Sequence, residues 1–516
     1  MTQHSKAPGK ALGKALADAL HRIQEAAKGD VIRASDMSRA DRERAQAAGW
    51  LHPVLKGWYI VGSEATAQPG STVLWYSHFW SFISRYLAER FGDGYCLNAE
   101  ASLDLHVGNT TVPQQLIVMT AEGGATNIKL PDHTSLQTYP DPGNLPKETE
   151  SHDGIRIMPL AVALCRVTPI YFRASPVNAE IALNMVSESD LSRALITGRN
   201  TRAASRLMGA YQFVGNEARA QRIKNDMQVS VSRISPINPF TTDQPLLGNL
   251  KRLKSPQVAR LTALWEKMRL EVLKHFPPAG KPADVSRYLD RMDDIYQHDA
   301  YNSLSIEGYR VTPEIIERVR AGKWDPDRAE DREHVAAMAA KGYFDAFQQV
   351  KQAVQNVLQG ANPASTAQAG LQDWYRALFG ASVQAGILHP ADLAGYRNRP
   401  VYIRGSVHVP PPHEALMDCM ETLFNLLANE ESAAVRAVLG HFIFVFVHPY
   451  PDGNGRLGRF LMNLMLASGG YPWTIVRLAQ RDTYLNALEQ ASAQQEIGPF
   501  VEFIAQEMQV NWTGSN

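Results

Sequence analysis

Apolar residues in the second half of the chain recur at helical spacing. The stretches "SPQVARLTALWEKMRLEVLKHF", "REHVAAMAAKGYFDAFQQVKQAVQNVL", "PHEALMDCMETLFNLLANE" and "SAAVRAVLGHFIFVFV" predict helices from about residue 240 onward. Val438, Phe442, Val445 and Phe446 carry that spacing up to a polar loop. Phe460, Leu461 and Leu464 resume it beyond, so two core helices flank the loop.

The first half has a mixed texture. A charged helical segment, "SRADRERAQAAG", precedes two short β-like runs in "GWLHPVLKGWYIVG", punctuated by Gly49 and Gly57. A helix followed by a hairpin of this size suits a winged helix. Beyond it, "QQLIVMTAEGG" and "GIRIMPLAVAL" predict strands, while "PVNAEIALNMV" and "DLSRALI" predict helices. The Pro-, Ser- and Thr-rich "VSVSRISPINPFTTDQPLLGN" lacks periodicity and predicts a linker or extended connector. The expected fold class is multidomain α+β. A winged-helix-like domain covers residues 1–63, a mixed α/β domain covers 64–235, and a mostly α-helical region covers 236–516.

Composition changes this picture little. A length of 516 residues suits two to four domains. Lys+Arg and Asp+Glu both number 52, so no global charge points to nucleic acid or a membrane. Cys96, Cys165 and Cys419 are far apart, which gives neither a disulfide framework nor a zinc site and fits a reducing cytoplasm. The N-terminal stretch lacks the apolar run of a signal peptide, and no run approaches a membrane span, so a cytoplasmic location is expected.

The polar loop holds the candidate chemistry. In "FVHPYPDGNGRLGRF", Pro449 and Pro451 must end the preceding helix, because neither can donate a backbone hydrogen bond. Gly453, Asn454 and Gly455 allow unusual dihedrals and close approach of a ligand. A helix starts there, and its free amides make an anion site. Arg456 and Arg459 share a face of its first turn and suit a polyphosphate. Asp452 is placed to hold Mg²⁺ bridging phosphate oxygens, and His448 to take a proton from a hydroxyl.

"HPYPDGNGRLGR", residues 448–459, resembles the signature loop of the Fic family, His-Pro-Phe-x-Asp/Glu-Gly-Asn-Gly-Arg-x-x-Arg, with Tyr450 in place of Phe. The resemblance extends over about residues 285–505. It implies a mostly helical fold and transfer of AMP from ATP to a Ser, Thr or Tyr hydroxyl of a protein target. His448 would be the general base and Asp452 the Mg²⁺ ligand. Gly453, Asn454 and Gly455 would cradle the α-phosphate, and Arg456 and Arg459 would hold the outer phosphates. "YNSLSIEGYRV" resembles the family's inhibitory helix, here about residues 299–308, with Ser303, Glu307 and Gly308 matching. A glutamate there can pair with Arg459 and take the γ-phosphate's place. "GYRNRPVYIRGSVHVPPP" alternates across Val401, Tyr402 and Ile403 and turns at Gly405-Ser406, a hairpin signal. It resembles the family's flap, here about 395–410, which docks a target by strand addition. Arg481 and Tyr484 sit where the family often keeps a pair near the nucleotide base, with Tyr484 available to stack on adenine or to serve as an ordinary aromatic. His441 reads as a packed structural histidine.

The segment "AAGWLHPVLKGWYIV" resembles the winged-helix start of abortive-infection antitoxin-type regulators, and "LNAEASLDLHVGNTTVPQQLIVMT" resembles their second domain, which makes the mixed domain 64–235 antitoxin-like in one reading. Arg33, Arg39, Arg42, Arg44 and Lys56, and then Arg193, Arg199, Arg202 and Arg206, are available to face DNA phosphates or to form solvated faces. Three readings follow. The first is an adenylyltransferase held off by Glu307, and the second a DNA-binding regulator whose Fic module senses nucleotide. The third is an enzyme that removes AMP with the same site. An intact His448 and a full anion loop favour an enzyme, since a sensor needs no base.

Overall fold

The computed structural model describes residues 8–62, 73–109, 111–228, 234–249, 255–280, 284–325 and 335–513. They fall into two units. One runs to Pro256 and includes Tyr402–Val409, and the other comprises Gln257–Val401 and Pro410–Asn516.

In the first unit, helices Pro8–Ala26 and Arg39–Ala47 accompany a three-stranded antiparallel sheet. Its strands are β1 (Val31–Arg33), β2 (Leu51–Leu55) and β3 (Trp58–Val61), in the order β1-β3-β2. The hairpin read from "GWLHPVLKGWYIVG" is therefore formed. Arg22 ties the two helices by donating to Asp41 at 2.7 Å. A second sheet contains β4 (Tyr95–Leu97), β5 (Gln115–Thr120), β6 (Thr126–Lys129) and β7 (Ser135–Pro140) in the order β4-β5-β7-β6, with β5 and β7 parallel. Trp75, Phe79, Phe82 and Tyr86, on the helix Val73–Phe91, pack with Trp58 in one aromatic core. A short pair, β8 (Glu150–His152) and β9 (Ile155–Ile157), precedes a helical run. "GIRIMPLAVAL" is thus a strand only over its first residues. From Leu160 it is a helix, because Pro159 sits at the N-cap, where a missing N–H costs nothing. The connector at 234–249 forms no helix or strand but is not loose: buried Glu180 accepts the amides of Leu246, Leu247 and Gly248 at 2.8, 2.7 and 3.2 Å.

The second unit is helical. The helix Ala433–Val447 is buried almost throughout, as its apolar sequence requires. Ser432 caps it by accepting the Val435 amide. Pro256–His275, Val285–Ile306, Val335–Leu358, Pro363–Gln384, Leu416–Asn429 and Asn454–Ser468 share one core with it. Among the described residues, no helix is long and apolar enough to cross a membrane.

The β-hairpin flap is a correction. Residues 395–412 contain no strand, only a turn in which the Ser406 amide donates to the Ile403 carbonyl at 3.1 Å. Pro400 precedes the alternating run, and Pro410, Pro411 and Pro412 follow on the return side, where none can donate to a ladder. Val407 and Val409 instead pack against the aromatic core of the first unit, and the Val407 carbonyl accepts the Val112 amide at 3.0 Å. Val401, Tyr402 and Ile403 form no edge strand to which a target could add.

Candidate active site

The loop after Ala433–Val447 is built by a few specific bonds. His448 leaves the helix in a left-handed conformation, φ 52 and ψ 60. Asn454 then latches the turn, accepting the Tyr450 amide at 3.0 Å and donating to the Tyr450 carbonyl at 2.8 Å. Its side chain thus shapes the loop. Tyr450 stacks on Tyr375 at 4.0 Å and donates from its hydroxyl to Gln372, which gives the tyrosine oxygen a partner that phenylalanine would lack. Gly453, at φ 83, caps the helix Asn454–Ser468. The first intrahelical bond runs from Leu457 to Gly453, so the amides of Asn454, Gly455 and Arg456 have no acceptor within the helix.

Both arginines lie under this helix start. Arg456 is 1% exposed, between the rings of Tyr309 and Phe379, each 5.1 Å from its guanidinium carbon. It reaches Asp452 at 3.4 Å, and its Nε has no hydrogen-bond partner among the described residues. Arg459 is 4% exposed. It donates from Nε to the Ser303 hydroxyl at 2.8 Å, and from Nη2 to the Ser303 carbonyl at 3.0 Å and to Glu307 Oε1 at 2.9 Å. Its Nη1 has no hydrogen-bond partner among the described residues. Two buried guanidiniums with unspent donors suit a ligand richer in oxygens than one carboxylate.

Glu307 follows the helix Val285–Ile306, whose end Gly308 turns at φ 90. Arg481 donates to the last carbonyl, Ile306, at 2.9 Å and so holds this helix rather than a base. The Glu307 carboxylate lies over Gly455, where a Cβ would stand 2.2 Å from Oε1. Burial raises its pKa, but the charges of Arg459 and Arg456 outweigh this and hold it below the usual carboxylate value. The protein's own anion therefore sits at the amide end of the loop helix.

His448 accompanies them. Its Nδ1 lies 3.3 Å from the Val445 carbonyl, so the proton on that nitrogen leaves Nε2 as the acceptor. Burial pushes its pKa down to about 4, and the Arg397 charge adds to this. The ring is neutral at pH 7. Asp452 is exposed, with Oδ1 accepting the Gly453 amide at 2.6 Å. Among the described residues, no three acidic, histidine or cysteine side chains form a metal cage. A lone open carboxylate fits an ion that arrives with phosphate oxygens.

Tyr484 is a further correction. It is 2% exposed, its hydroxyl bonds His441 Nε2 at 2.8 Å, and Phe500 and Phe503 pack on its ring. No face is open to adenine. His441 is fully buried and its pKa falls to about 4 through burial, in keeping with a packed histidine. Sequence reasoning missed Phe379, Tyr309 and Arg397 as parts of the site, since two act through ring faces and the third through backbone carbonyls. Of the basic residues considered for DNA, Arg33, Arg39 and Arg44 pair with Glu89, Glu43 and Asp41. Arg206 is buried and donates to the Cys165 carbonyl. These placements give DNA binding no support.

Residues 365–466 match the Fic/DOC family model. The protein adenylyltransferase Fic of Nematostella vectensis is 36% identical over 124 residues, 23% of this chain and 28% of that protein. Its namesake in Drosophila virilis is 38% identical over 124 residues, again 23% of this chain and 25% of that one. The chain thus spans about a quarter of the length of these relatives. A solved structure of Fic-1 from C. elegans overlaps 65% of this chain and 87% of its own, at 18% identity and a TM-score of 0.37, too loosely to argue from. The family match and the loop that carries His448, Arg456 and Arg459 fall on the same stretch of the chain.

Proposed function

We propose that this chain transfers AMP from ATP to a side-chain hydroxyl of a protein target, and that Glu307 holds the transfer off. One observation carries the reading: an ion pair from Glu307 to Arg459 that seats a carboxylate over Gly455, at an anion site with unspent arginine donors. The relatives' name, protein adenylyltransferase, supports the reaction class.

In this reading the amides of residues 454–456 and the two guanidiniums bind the phosphates. Asp452, exposed beside the loop, would hold a Mg²⁺ ion, which would supply positive charge against the phosphates. The target oxygen attacks the α-phosphorus, and its proton passes to Nε2 of His448. The bridging bond to the β-phosphate breaks and pyrophosphate leaves. Catalysis is then positioning and charge stabilisation with one proton transfer. While Glu307 occupies Arg459, the outer phosphates lack their full clamp and the α-phosphate is turned from the line of attack.

The test compares three proteins with ATP labelled at the α-phosphate and a cell lysate. Glu307→Gly is expected to label protein strongly, the unaltered chain little, and Glu307→Gly with His448→Ala not at all. Label that stays on free nucleotide in all three refutes the transfer.

A further inference from the structure

We propose that Arg397 is the positioning residue that holds His448 in its left-handed turn and so aims the base. This deepens the reading above and rests on His448 being that base.

A left-handed turn strains a side chain with a Cβ, and histidine gains nothing from it unless surrounding bonds enforce it. The last carbonyls of any helix also lack partners within the helix. Arg397 answers both needs. Its Nε donates to the His448 carbonyl at 2.8 Å and its Nη2 reaches the Val447 carbonyl at 3.4 Å. Its own amide donates to the Pro449 carbonyl at 2.8 Å. One residue thus holds three successive carbonyls across the turn. The same fork reaches outward, from Nη2 to the Pro411 carbonyl at 2.6 Å and from Nη1 to the Arg399 carbonyl at 3.1 Å. Rotating His448 into a right-handed conformation would swing its carbonyl off Nε and break the set.

Arg397 is 5% exposed, so its charge lies among these carbonyls in a poorly solvated place. The charged groups that act on the His448 ring are Arg397 on one side and Glu307 and Asp452 on the other, with the Val445 carbonyl on Nδ1. Arg397 opposes protonation of the ring, whereas the two acids favour it. Neither glutamine, with one NH₂ group, nor lysine, with one point charge, can serve four carbonyls in a plane. Lysine keeps the charge, and glutamine keeps neither charge nor fork.

The test uses the full chain with ¹³C-labelled histidine rings, the His448 signal being identified by its loss in His448→Ala. In Arg397→Gln the signal is expected to titrate at higher pH and to broaden or split as the turn samples other conformations. In Arg397→Lys it is expected to broaden while titrating close to the parent. In a Glu307→Gly background, AMP transfer by Arg397→Lys should fall about ten- to a hundredfold in kcat, with little change in the KM for ATP. A His448 signal of unchanged shape in Arg397→Lys overturns the proposal, and that variant decides the matter if Arg397→Gln does not fold. The ring signal reads positioning directly. If Glu307→Gly transfers no AMP, the functional reading fails while the spectrum still decides the role of Arg397.

Discussion

Replacing Glu307 with glycine removes the carboxylate that meets Arg459 at 2.9 Å. A hydrogen bond between charged groups contributes about 1.5–3 kcal/mol net. The Glu307 side chain is 25% exposed and Arg459 only 5%, which puts this pair toward the lower end of that range. A phosphate that must share Arg459 competes with this bond. Its loss should tighten productive ATP binding by about tenfold or somewhat more, at about 1.4 kcal/mol per decade. The fold should lose about 1–2 kcal/mol, because Arg459 stays buried but keeps both bonds to Ser303. Glu307→Gln, which retains an acceptor oxygen without the charge, should fall between. Calorimetric titration with ATP reads the affinity, thermal melting reads the stability, and incorporation of labelled AMP reads the activity. A lowered melting temperature, showing the contact broken, with affinity and incorporation both unchanged would refute the reasoning.

Four further outcomes follow from the same geometry. Gly455→Ala places a Cβ on the Glu307 carboxylate and should cost about 1–3 kcal/mol of stability in the unaltered chain but little in Glu307→Gly, a non-additivity that a double-mutant cycle of melts would measure. Tyr484→Phe leaves His441 Nε2 without its partner and should cost about 1–3 kcal/mol while leaving the ATP affinity of Glu307→Gly unchanged; a selective loss of affinity would put that ring back against the base. For pH, the base must be neutral, so kcat/KM of Glu307→Gly should hold as pH falls through 6.5 and drop only near the His448 value of about 4. The Glu307 carboxyl, held below 4.5, contributes stability above that value and loses it only as pH falls through its lower folded value, which melts of the unaltered chain against Glu307→Gly would show.

The parts of this site that were legible in the sequence are those set by local chemistry. Pro449 and Pro451 end a helix, Gly453 starts the next, and Arg456 and Arg459 share its first turn. The pairing of Glu307 with Arg459, 152 residues apart, was legible only because the resemblance linked two short motifs. Burial and long-range packing were not. Tyr484 looks like a ligand contact in a string of letters, yet it is walled in by Phe500 and Phe503, and the Asn454 side chain bonds the Tyr450 backbone, leaving the residue's amide to face a ligand. The alternation around Val401 suggests a hairpin, but the prolines and the packing of Val407 and Val409 decide otherwise. The parallel pairing of β5 with β7 joins segments with no shared turn signal. Arg397 acts on backbone carbonyls, which leave no trace in the identity of their residues.

The most direct measurement is mass spectrometry of lysate proteins after incubation with ATP and Glu307→Gly, set against Glu307→Gly with His448→Ala. Peptides carrying AMP on a serine, threonine or tyrosine, present with the first protein and absent with the second, are the predicted result. ATP turnover with no modified peptide, or the same peptides from both proteins, would contradict it.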